Sequence, residues 1–599
     1  MSPYIDFEPI GLRGECPEGN SLLDCARSLG VCLVNICGGV GNCGSCKVQI
    51  LAGKVSEVTG KEREHITVNE LSRGYRLACC VFPETNCKVF VPAESLAVKQ
   101  RAQVEGREIH VDPDPAARMY LLDLAPPSFK DLRSDADRIA DELRDRYDLT
   151  DLMFDYQLLR SLSDILRKNN WRVLVVVYQG EVIAVLPEGS KSLGVAVDLG
   201  TTKIAMYLMD LESGQTLSSK GLMNPQVAYG EDIMTRMTAA QTDSNLAEQF
   251  QSLIVDVFNE TIAEMCRQCG QCLSQVVNMV VAGNTAMHHL FLGFPVWQLG
   301  RAPYVPEVAS ELDIKARDLG IRIAPGAYVH LLPNIAGYVG GDHVAMLLAS
   351  NISTETGVIL AIDVGTNTEI CLSNRGIMSS LSTASGPAFE GAHLQHGMRA
   401  APGAIERFQV IEGKNTYQTI DNLPAVGLCG SGILDVLAQL YQAGFVDRRG
   451  RFMEHPCIRG EGREKEYEIV PSQGNGAAIT FSQRDIEQLQ LAKGAIRTGI
   501  EVLLVRHGIS ASELDKIIIA GAFGTYLDVS SAITIGMLPE LPVSRVFQVG
   551  NAAGIGAKLA LISREKRDEA QYLARKVQYI ELAGDPDFTS VFAKSLRLG

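Results

Sequence analysis

The chain repeats one short segment: GVAVDLGTTKIAMYL at Gly194–Leu208 and VILAIDVGTNTEICL at Val358–Leu372. Each copy is an apolar run that ends in an aspartate, followed by Gly-Thr and a second apolar run. Asp198 corresponds to Asp363 at an offset of 165 residues. This pattern predicts two strand–turn–strand hairpins. Two copies at this distance predict two related lobes.

The chemistry of these turns is that of a phosphate site. Backbone N–H groups and threonine hydroxyls in a glycine-containing turn can surround phosphate oxygens. A carboxylate just before the turn can hold Mg²⁺ or orient a water. We therefore take Asp198 and Asp363 as the candidate catalytic residues, and both roles stay open for each of them. The candidate nucleotide-binding residues in the turns are Gly200, Thr201, Thr202, Lys203, Gly365, Thr366 and Asn367.

Three further glycine-rich segments fit the same site. GLCGSG (Gly427–Gly432) precedes a helical run, so a helix N-terminus can face an anion. IIIAGAFG (Ile517–Gly524) is a buried-type strand that ends in a glycine turn, and SGPAFEG (Ser385–Gly391) can supply a loop near the phosphates. A fourth, VGNAAGIG (Val549–Gly556), fits either nucleotide contact or tight helix packing. The candidates added here are Ser385, Gly386, Glu390, Gly430, Ser431, Gly432, Gly521, Ala522, Phe523 and Gly524.

The repeated Asp-x-Gly-Thr turns resemble the two phosphate loops of the actin, sugar kinase and Hsp70 superfamily. Ile517–Gly524 resembles the adenosine motif of the same superfamily. The resemblance implies a two-lobed α/β, actin-like ATPase domain over residues 193–599, with ATP and Mg²⁺ as its ligands.

Cysteines dominate the N-terminal part of the chain. CGGVGNCGSC (Cys37–Cys46) and RLAC (Arg76–Cys79) supply four thiols, and the intervening glycines let the backbone wrap a compact cluster. The spacing resembles the adrenodoxin-like variant of the β-grasp ferredoxin fold. That resemblance implies a [2Fe–2S] cluster on Cys37, Cys43, Cys46 and Cys79, with Cys79 preferred to Cys80 because RLAC resembles the segment that carries the fourth ligand. A zinc site on the same thiols is the alternative.

The rest of the chain supplies organisation and exclusions. We expect an α+β ferredoxin-like domain at 1–96, a linker at 97–118 and a small α/β middle domain at 119–192. The net charge of −15 argues against nucleic acid as a partner. No apolar run is long enough to span a membrane, and the first residues lack a secretory pattern, so we expect a cytoplasmic protein. Cys266, Cys269 and Cys272 lack an evident fourth ligand, and we interpret them as structural.

The order of ferredoxin head, linker, middle domain and duplicated ATPase resembles the reductive activators of corrinoid proteins. NTAMHHL (Asn284–Leu290), the segment Asn224–Asp232 and GPAFEG (Gly386–Gly391) support the resemblance, which covers essentially the whole chain. It implies ATP-dependent transfer of an electron from the cluster to the Co(II) corrinoid of a methyltransferase-system protein, restoring Co(I). The implied partners are that corrinoid protein and an upstream low-potential electron donor, and a homodimer stays open.

Three alternatives follow from parts of the same pattern. A phosphotransferase of the sugar or acetate kinase type would use the lobes but has no need of an iron–sulfur head. A redox-sensing protein would let the cluster gate nucleotide binding without passing electrons on. An activator of another acceptor, as for 2-hydroxyacyl-CoA dehydratases, would hold its cluster between subunits, whereas this chain carries it in its own N-terminal domain.

Overall fold

The computed structural model describes the chain except residues 1–2, 9–11, 18, 30, 32, 34, 36, 93–94, 96–108, 110, 231, 243, 412 and 473–477. Most of the predicted linker, residues 97–108 and 110, therefore lies outside the described residues. No helix in the described part of the chain has the length and apolar character needed to cross a membrane.

The N-terminal domain is a mixed five-stranded sheet in the order β2-β1-β5-β3-β4. Strands β1 and β5 pair in parallel, and the other pairings are antiparallel. Alternate strand residues such as Ile5, Phe7 and Val48 are fully buried, in one core with Leu22 and Cys25 of the first helix. Its elements are β1 (Tyr4–Glu8), β2 (Leu12–Glu15), α1 (Leu22–Ser28), β3 (Lys47–Ala52), α2 (Gly60–His65), α3 (Val68–Ser72), β4 (Tyr75–Leu77) and β5 (Cys87–Phe90).

The next unit is a four-stranded sheet, β6-β8-β9-β7, covered by two helices. Its elements are β6 (Ala117–Asp123), α4 (Asp135–Tyr147), β7 (Met153–Phe154), α5 (Tyr156–Lys168), β8 (Arg172–Tyr178) and β9 (Glu181–Pro187). The last two residues of the predicted linker belong to β6. Just before them, Asp114 binds Arg564 at 2.9 Å, so this part of the linker is fixed to the ATPase.

The first lobe is a six-stranded sheet in the order β12-β11-β10-β13-β15-β14. Its elements are β10 (Leu193–Leu199), β11 (Lys203–Asp210), β12 (Thr216–Met223), α6 (Ile233–Thr242), α7 (Ser244–Gln268), β13 (Val276–Gly283), α8 (Thr285–Leu292), β14 (Leu312–Lys315), β15 (Tyr328–Leu331) and α9 (Gly341–Ala349).

The second lobe has a six-stranded sheet in the order β26-β25-β16-β17-β18-β27 and two three-stranded sheets, β20-β19-β21 and β22-β23-β24. Its strands are β16 (Val358–Val364), β17 (Thr368–Asn374), β18 (Ile377–Thr383), β19 (Ala404–Ile411), β20 (Lys414–Thr419), β21 (Gly427–Leu428), β22 (Ile458–Arg459), β23 (Glu466–Val470), β24 (Ile479–Ser482), β25 (Lys516–Ala520), β26 (Val546–Gly550) and β27 (Gln578–Tyr579). The helices of this half are α10 (Gly430–Gln442), α11 (Gln483–Arg506), α12 (Ala522–Tyr526), α13 (Val529–Thr534), α14 (Ala552–Ile562), α15 (Arg564–Lys576) and α16 (Phe588–Ser595).

The two lobes are built alike, as the sequence repeat predicts. In each, the aspartate strand (β10 or β16) pairs antiparallel with the next strand and parallel with a later one (β13 or β25). Helix α14 crosses back to the first lobe, where Gly556 packs so closely on Ala345 that an added Cβ would lie 2.0 Å from its carbonyl oxygen. Tight helix packing is thus one role of the Val549–Gly556 segment.

The two hairpins differ by one residue. Leu199 pairs with Ile204 across four turn residues, whereas Val364 pairs with Thr368 across three. The shorter turn places Glu369 opposite Asp363, while Ala205 lies opposite Asp198. Directly paired residues of an antiparallel ladder point to the same face. The shift therefore adds a carboxylate beside the second aspartate.

Candidate functional site

A cavity of about 690 Å³ lies between the two lobes. Both hairpin turns, the start of α10 and the turn after β25 form its walls. Fourteen of the predicted residues line it: Asp198, Gly200, Thr201, Thr202, Lys203, Asp363, Gly365, Thr366, Asn367, Glu390, Gly430, Ser431, Gly521 and Phe523. The structure thus gathers residues from segments more than 300 positions apart into one site.

The hairpin turns are held in shape from behind. A Cβ on Gly200 would lie 2.5 Å from the carbonyl oxygen of Lys203, so only glycine fits there. Asn284 donates to the Thr201 hydroxyl at 2.8 Å, and the Thr366 hydroxyl donates to Glu390 at 2.6 Å. Both threonine hydroxyls are therefore oriented by partners in the cavity wall.

Seven carboxylates of the described residues line the cavity. Four of them are Asp198, Asp363, Asp342 at the start of α9, and Glu369 on β17, and the other three are Glu390, Glu406 and Asp421. Burial raises the pKa of Asp198 to about 7; a hydrogen bond from Asn551 opposes this shift and the charge of Asp342 adds to it. Burial, with the charges of Asp342 and Asp198, raises the pKa of Asp363 to about 7. Burial also raises the pKa of Asp342, to about 6.

Such a set suits a hard cation. Carboxylate oxygens are ligands that Mg²⁺ prefers, and a cation would relieve the repulsion among these groups. Within the described residues, no His, Cys, Asp and Glu side chains form a group of three that could hold a metal ion. Mg²⁺ commonly keeps several waters and binds one or two carboxylates together with substrate phosphates. The residues present fit that mode of binding.

Two basic side chains and an aromatic pair complete the cavity. Burial lowers the pKa of Lys203, Glu390 opposes this shift and Arg399 reinforces it. Phe389 and Phe523 stack with ring centroids 4.8 Å apart and give the cavity an apolar wall. Helix α10 begins at Gly430 on the cavity wall, and none of its first amides is capped by the Cys429 side chain. Its N-terminus can therefore receive an anion.

Other predicted residues lie behind the cavity rather than in it. The Ser385 hydroxyl donates to the Gly365 carbonyl at 3.0 Å, and the Gly386 amide to that of Thr366 at 3.0 Å, so both support the second turn. Gly432 lets α10 approach β19, since a Cβ there would lie 2.1 Å from a backbone oxygen. Gly524 packs under the Ile519 side chain. Ala522 begins α12, directly after the Gly521 turn.

Sequence reasoning missed several polar residues of the cavity, among them Asp342, Glu369, Arg399 and Asn551. Asn551 belongs to the Val549–Gly556 segment, and its side-chain nitrogen donates to the Asp198 carboxylate at 2.9 Å. Glu369 becomes visible in the sequence only once the one-residue difference between the repeats is noticed. Asp342 follows Gly340-Gly341, and Gly340 packs against the backbone of Asn284 and Thr285, a contact that no local sequence pattern indicates.

The four predicted cluster thiols form two pairs. The sulfur atoms of Cys37 and Cys43 are 3.3 Å apart, and those of Cys46 and Cys79 are also 3.3 Å apart. The Cys80 sulfur lies 3.7 Å from that of Cys79. The two pairs supply two thiolates for each iron of a two-iron cluster, although no three of these sulfurs stand close enough together in the described residues to form one metal site.

The four predicted cluster thiols differ in their tendency to ionise: the pKa values of Cys37 and Cys46 are lowered, and those of Cys43 and Cys79 are raised. The hydrogen bond from Cys43 lowers the pKa of Cys37 to about 4, against the effect of burial, and amides of Asn42, Gly39 and Gly41 contribute. Thiolates are the form that ligates iron. Elsewhere in the domain Cys16 and Cys25 are fully buried, with Cα atoms 5.2 Å apart. Of the separate Cys266–Cys272 group, Cys266 is buried in the first lobe and Cys272 is exposed.

Comparisons with known proteins agree with this architecture. A 2Fe-2S iron-sulfur cluster binding domain model matches residues 6–84, and models of the RACo linker region, middle region and C-terminal ASKHA domain match residues 106–192, 193–355 and 357–599. The chain is 32% identical over 597 residues to the corrinoid activation enzyme RamQ of Eubacterium limosum, covering 96% of both chains. The chain belongs to the RACo family of reductive activators of corrinoid proteins.

Other members and a solved structure extend the comparison. A [Co(II) methylated amine-specific corrinoid protein] reductase of Methanosarcina barkeri is 25% identical over 64% of this chain and 72% of its own. The solved structure of a reductive activator for corrinoid, iron-sulfur protein superposes over 100% of this chain and 98% of its own, with a TM-score of 0.73 and 31% identity. The predicted fold class and family are confirmed. The 2Fe-2S domain match also favours a two-iron cluster over the zinc alternative.

Proposed function

We propose that this RACo-family protein uses ATP to drive an electron from its [2Fe–2S] head to the Co(II) corrinoid of a partner protein, returning cobalt to Co(I). The observation that carries the proposal is the presence, in one chain, of a paired-thiol cluster site and a two-lobed nucleotide cavity. Its relatives are named a corrinoid activation enzyme and a Co(II) corrinoid protein reductase. A bound cluster would carry one electron. Binding and hydrolysis of the nucleotide depend on the residues of the cavity.

The cavity residues have separable tasks. Amides of the two turns and the α10 N-terminus bind phosphate oxygens, and Lys203 and Arg399 balance their charge. The Phe389–Phe523 wall accepts an adenine ring. Asp198 and Asp363 hold Mg²⁺ or orient the attacking water, assisted by Asp342. These residue roles, the use of Mg²⁺ and ATP hydrolysis itself are part of the proposal.

Energy coupling requires that the nucleotide interacts differently with two states of the complex. The cavity is made by both lobes, so ATP and its products will favour different lobe separations. A change in lobe separation alters the surface offered to the corrinoid protein. An electron transfer opposed by roughly 200 mV would be suppressed by about three decades, because ~59 mV is tenfold for one electron. Hydrolysis makes the cycle one-way.

ATP turnover tests the cavity half of the proposal. With Co(II) corrinoid protein present, the parent should hydrolyse ATP, and Asp363→Asn should reduce kcat by at least about 100-fold, since it removes a group placed to act on metal or water. Asp256→Asn, an exposed aspartate on α7, is the matched control and should retain parental kcat. Equal kcat in the parent and Asp363→Asn would refute the assigned site.

The upstream donor, a homodimer, the domain boundaries and a cytoplasmic location stay predictions.

A further inference from the structure

The ferredoxin head touches the first ATPase lobe through a few specific contacts. The Arg27 guanidinium donates to the Ala228 carbonyl and lies 4.8 Å from the centre of the Tyr229 ring. The Asn35 side-chain amide donates to the same Ala228 carbonyl at 3.3 Å. The Arg27 side chain is 17% exposed and Asn35 is fully buried, so most of this contact is shielded from water. We call this set the head–lobe latch.

On the head side, the latch is part of the cluster loop. The side-chain nitrogen of Asn35 donates to the lobe, and the side-chain oxygen of Asn35 accepts a hydrogen bond from the Gly39 backbone amide at 2.8 Å. Gly39 lies between the first two predicted cluster ligands. Gly38 permits the close approach: its φ is +68°, and an added Cβ would lie 2.8 Å from the Tyr229 carbonyl oxygen. A single side chain thus connects the cluster loop to the lobe.

On the lobe side, the latch is attached to the first phosphate turn. Ala228 and Tyr229 lie in a short 3₁₀ turn, Pro225–Tyr229, whose N-cap is Asn224. The Asn224 side chain donates to the Gly200 carbonyl at 2.9 Å, and its backbone amide donates to that of Thr202 at 2.9 Å. The segment that receives the head therefore also fixes both ends of the turn that lines the nucleotide cavity.

We propose that docking of the head on Ala228–Tyr229 and nucleotide binding at Gly200–Thr202 are energetically coupled through Asn224. A docked head immobilises the 3₁₀ turn and with it the phosphate turn, which is then pre-organised for phosphate. Coupling between two binding events is reciprocal, so nucleotide strengthens docking by the same factor. This coupling rests on the proposed function. The latch is then the element that positions the cluster according to whether nucleotide is bound.

Arg27→Ala and Tyr229→Ala test the latch from its two sides, and neither removes a cluster ligand or a cavity residue. Arg73→Ala is the matched control, because Arg73 lies over Tyr75 within the head at 5.8 Å. Iron content and the visible spectrum establish that each variant holds its cluster. Hydrogen exchange of the peptide containing residues 224–236 then reports docking, and calorimetric titration with Mg²⁺ and a non-hydrolysable ATP analogue reports affinity.

Arg27→Ala should raise exchange in residues 224–236 and weaken binding of the analogue by about 5- to 10-fold, within the usual range of coupling between sites. The effects of Arg27→Ala and Tyr229→Ala on analogue binding should be less than additive in the double variant, because both changes remove the same contact between the Arg27 guanidinium and the Tyr229 ring. Arg73→Ala should change neither quantity. Unchanged exchange would show that the latch does not hold the head. Raised exchange with parental affinity would overturn the coupling.

These measurements need no corrinoid protein. A parent that binds the analogue and shows the coupling, yet fails to reduce any corrinoid, would refute the proposed function and leave the latch standing. A parent that transfers electrons to the corrinoid but shows no coupling would refute the latch proposal and leave the proposed function standing.

Discussion

Replacing Glu62 by glutamine should destabilise the cluster domain, because it breaks the buried ion pair between Glu62 and Arg76. The Glu62 side chain is fully buried and accepts two bonds from Arg76, at 2.7 and 3.0 Å, and one from the Leu77 amide at 3.2 Å. Leu77 is two residues before Cys79. The carboxylate therefore positions the strand that leads into the fourth predicted cluster ligand.

The magnitude follows from burial. Removing one partner of a buried pair leaves an uncompensated charge, here Arg76, and costs about 3–5 kcal/mol. At about 1.4 kcal/mol per decade, the unfolded fraction of the head should rise by about two to four decades. Glu70→Gln is the matched control: Glu70 binds Lys47 at 2.7 Å but is 29% exposed, and exposed pairs contribute about 0–1 kcal/mol.

Cluster loss is the readout. Purified protein is followed anaerobically by its visible absorption during thermal and denaturant unfolding, and Glu62→Gln should lose its colour at much lower denaturant than Glu70→Gln. Burial opposes ionisation of Glu62, but bonds from Arg76 and the Thr59 amide outweigh it and hold its pKa below the usual value. Its contribution is thus present above about pH 4.3 and is lost as pH falls below that. Parental stability of Glu62→Gln would refute the reasoning.

Further variants test the two sites separately. Cys79→Ser should abolish the [2Fe–2S] absorption and EPR spectra, whereas Cys80→Ser should keep them; the opposite result would reassign the fourth ligand. Affinity for Mg²⁺ with nucleotide, measured by calorimetry, should increase between pH 6 and 8, because carboxylates with a pKa of about 7 must lose protons to bind a cation. Asp342→Asn removes a neighbouring negative charge and should move that rise to lower pH; an unmoved profile would contradict the electrostatic account. Gly521→Ala should weaken nucleotide binding at least about tenfold, since its φ is +90° and a Cβ would lie 2.7 Å from the Asp363 carboxylate. Gly376→Ala, with a φ of +87° and open space around it, controls for strain alone, and equal effects of the two would refute the contact.

The sequence was sufficient for the architecture because the repeat is a local pattern. Matching Asp-x-Gly-Thr hairpins require the same strand pairing, and β10–β11 and β16–β17 have it. The thiol spacing was equally informative, since Cys37, Cys43 and Cys46 share one loop. The parts of the cavity wall that are formed by backbone turns could thus be predicted from single segments of the sequence.

Residues that depend on three-dimensional neighbours could not be predicted in this way. Ser385 and Gly432 have the composition of a phosphate loop, but one supports the second turn and the other accommodates a strand. Glu369 reaches the cavity only because its turn is one residue shorter. Asn551 comes from a helix that crosses between lobes. Their roles follow from packing, which a glycine-rich motif does not specify.

The most direct test of the whole account follows the oxidation state of cobalt in a cognate corrinoid protein. Under anaerobic conditions, that protein in its Co(II) form is mixed with reduced activator and an electron donor, and the absorbance of Co(I) is recorded with ATP, with ADP and without nucleotide. We expect substantial Co(I) only in the sample that receives ATP. The same amount of Co(I) in all three samples would contradict the claim that nucleotide drives the electron uphill.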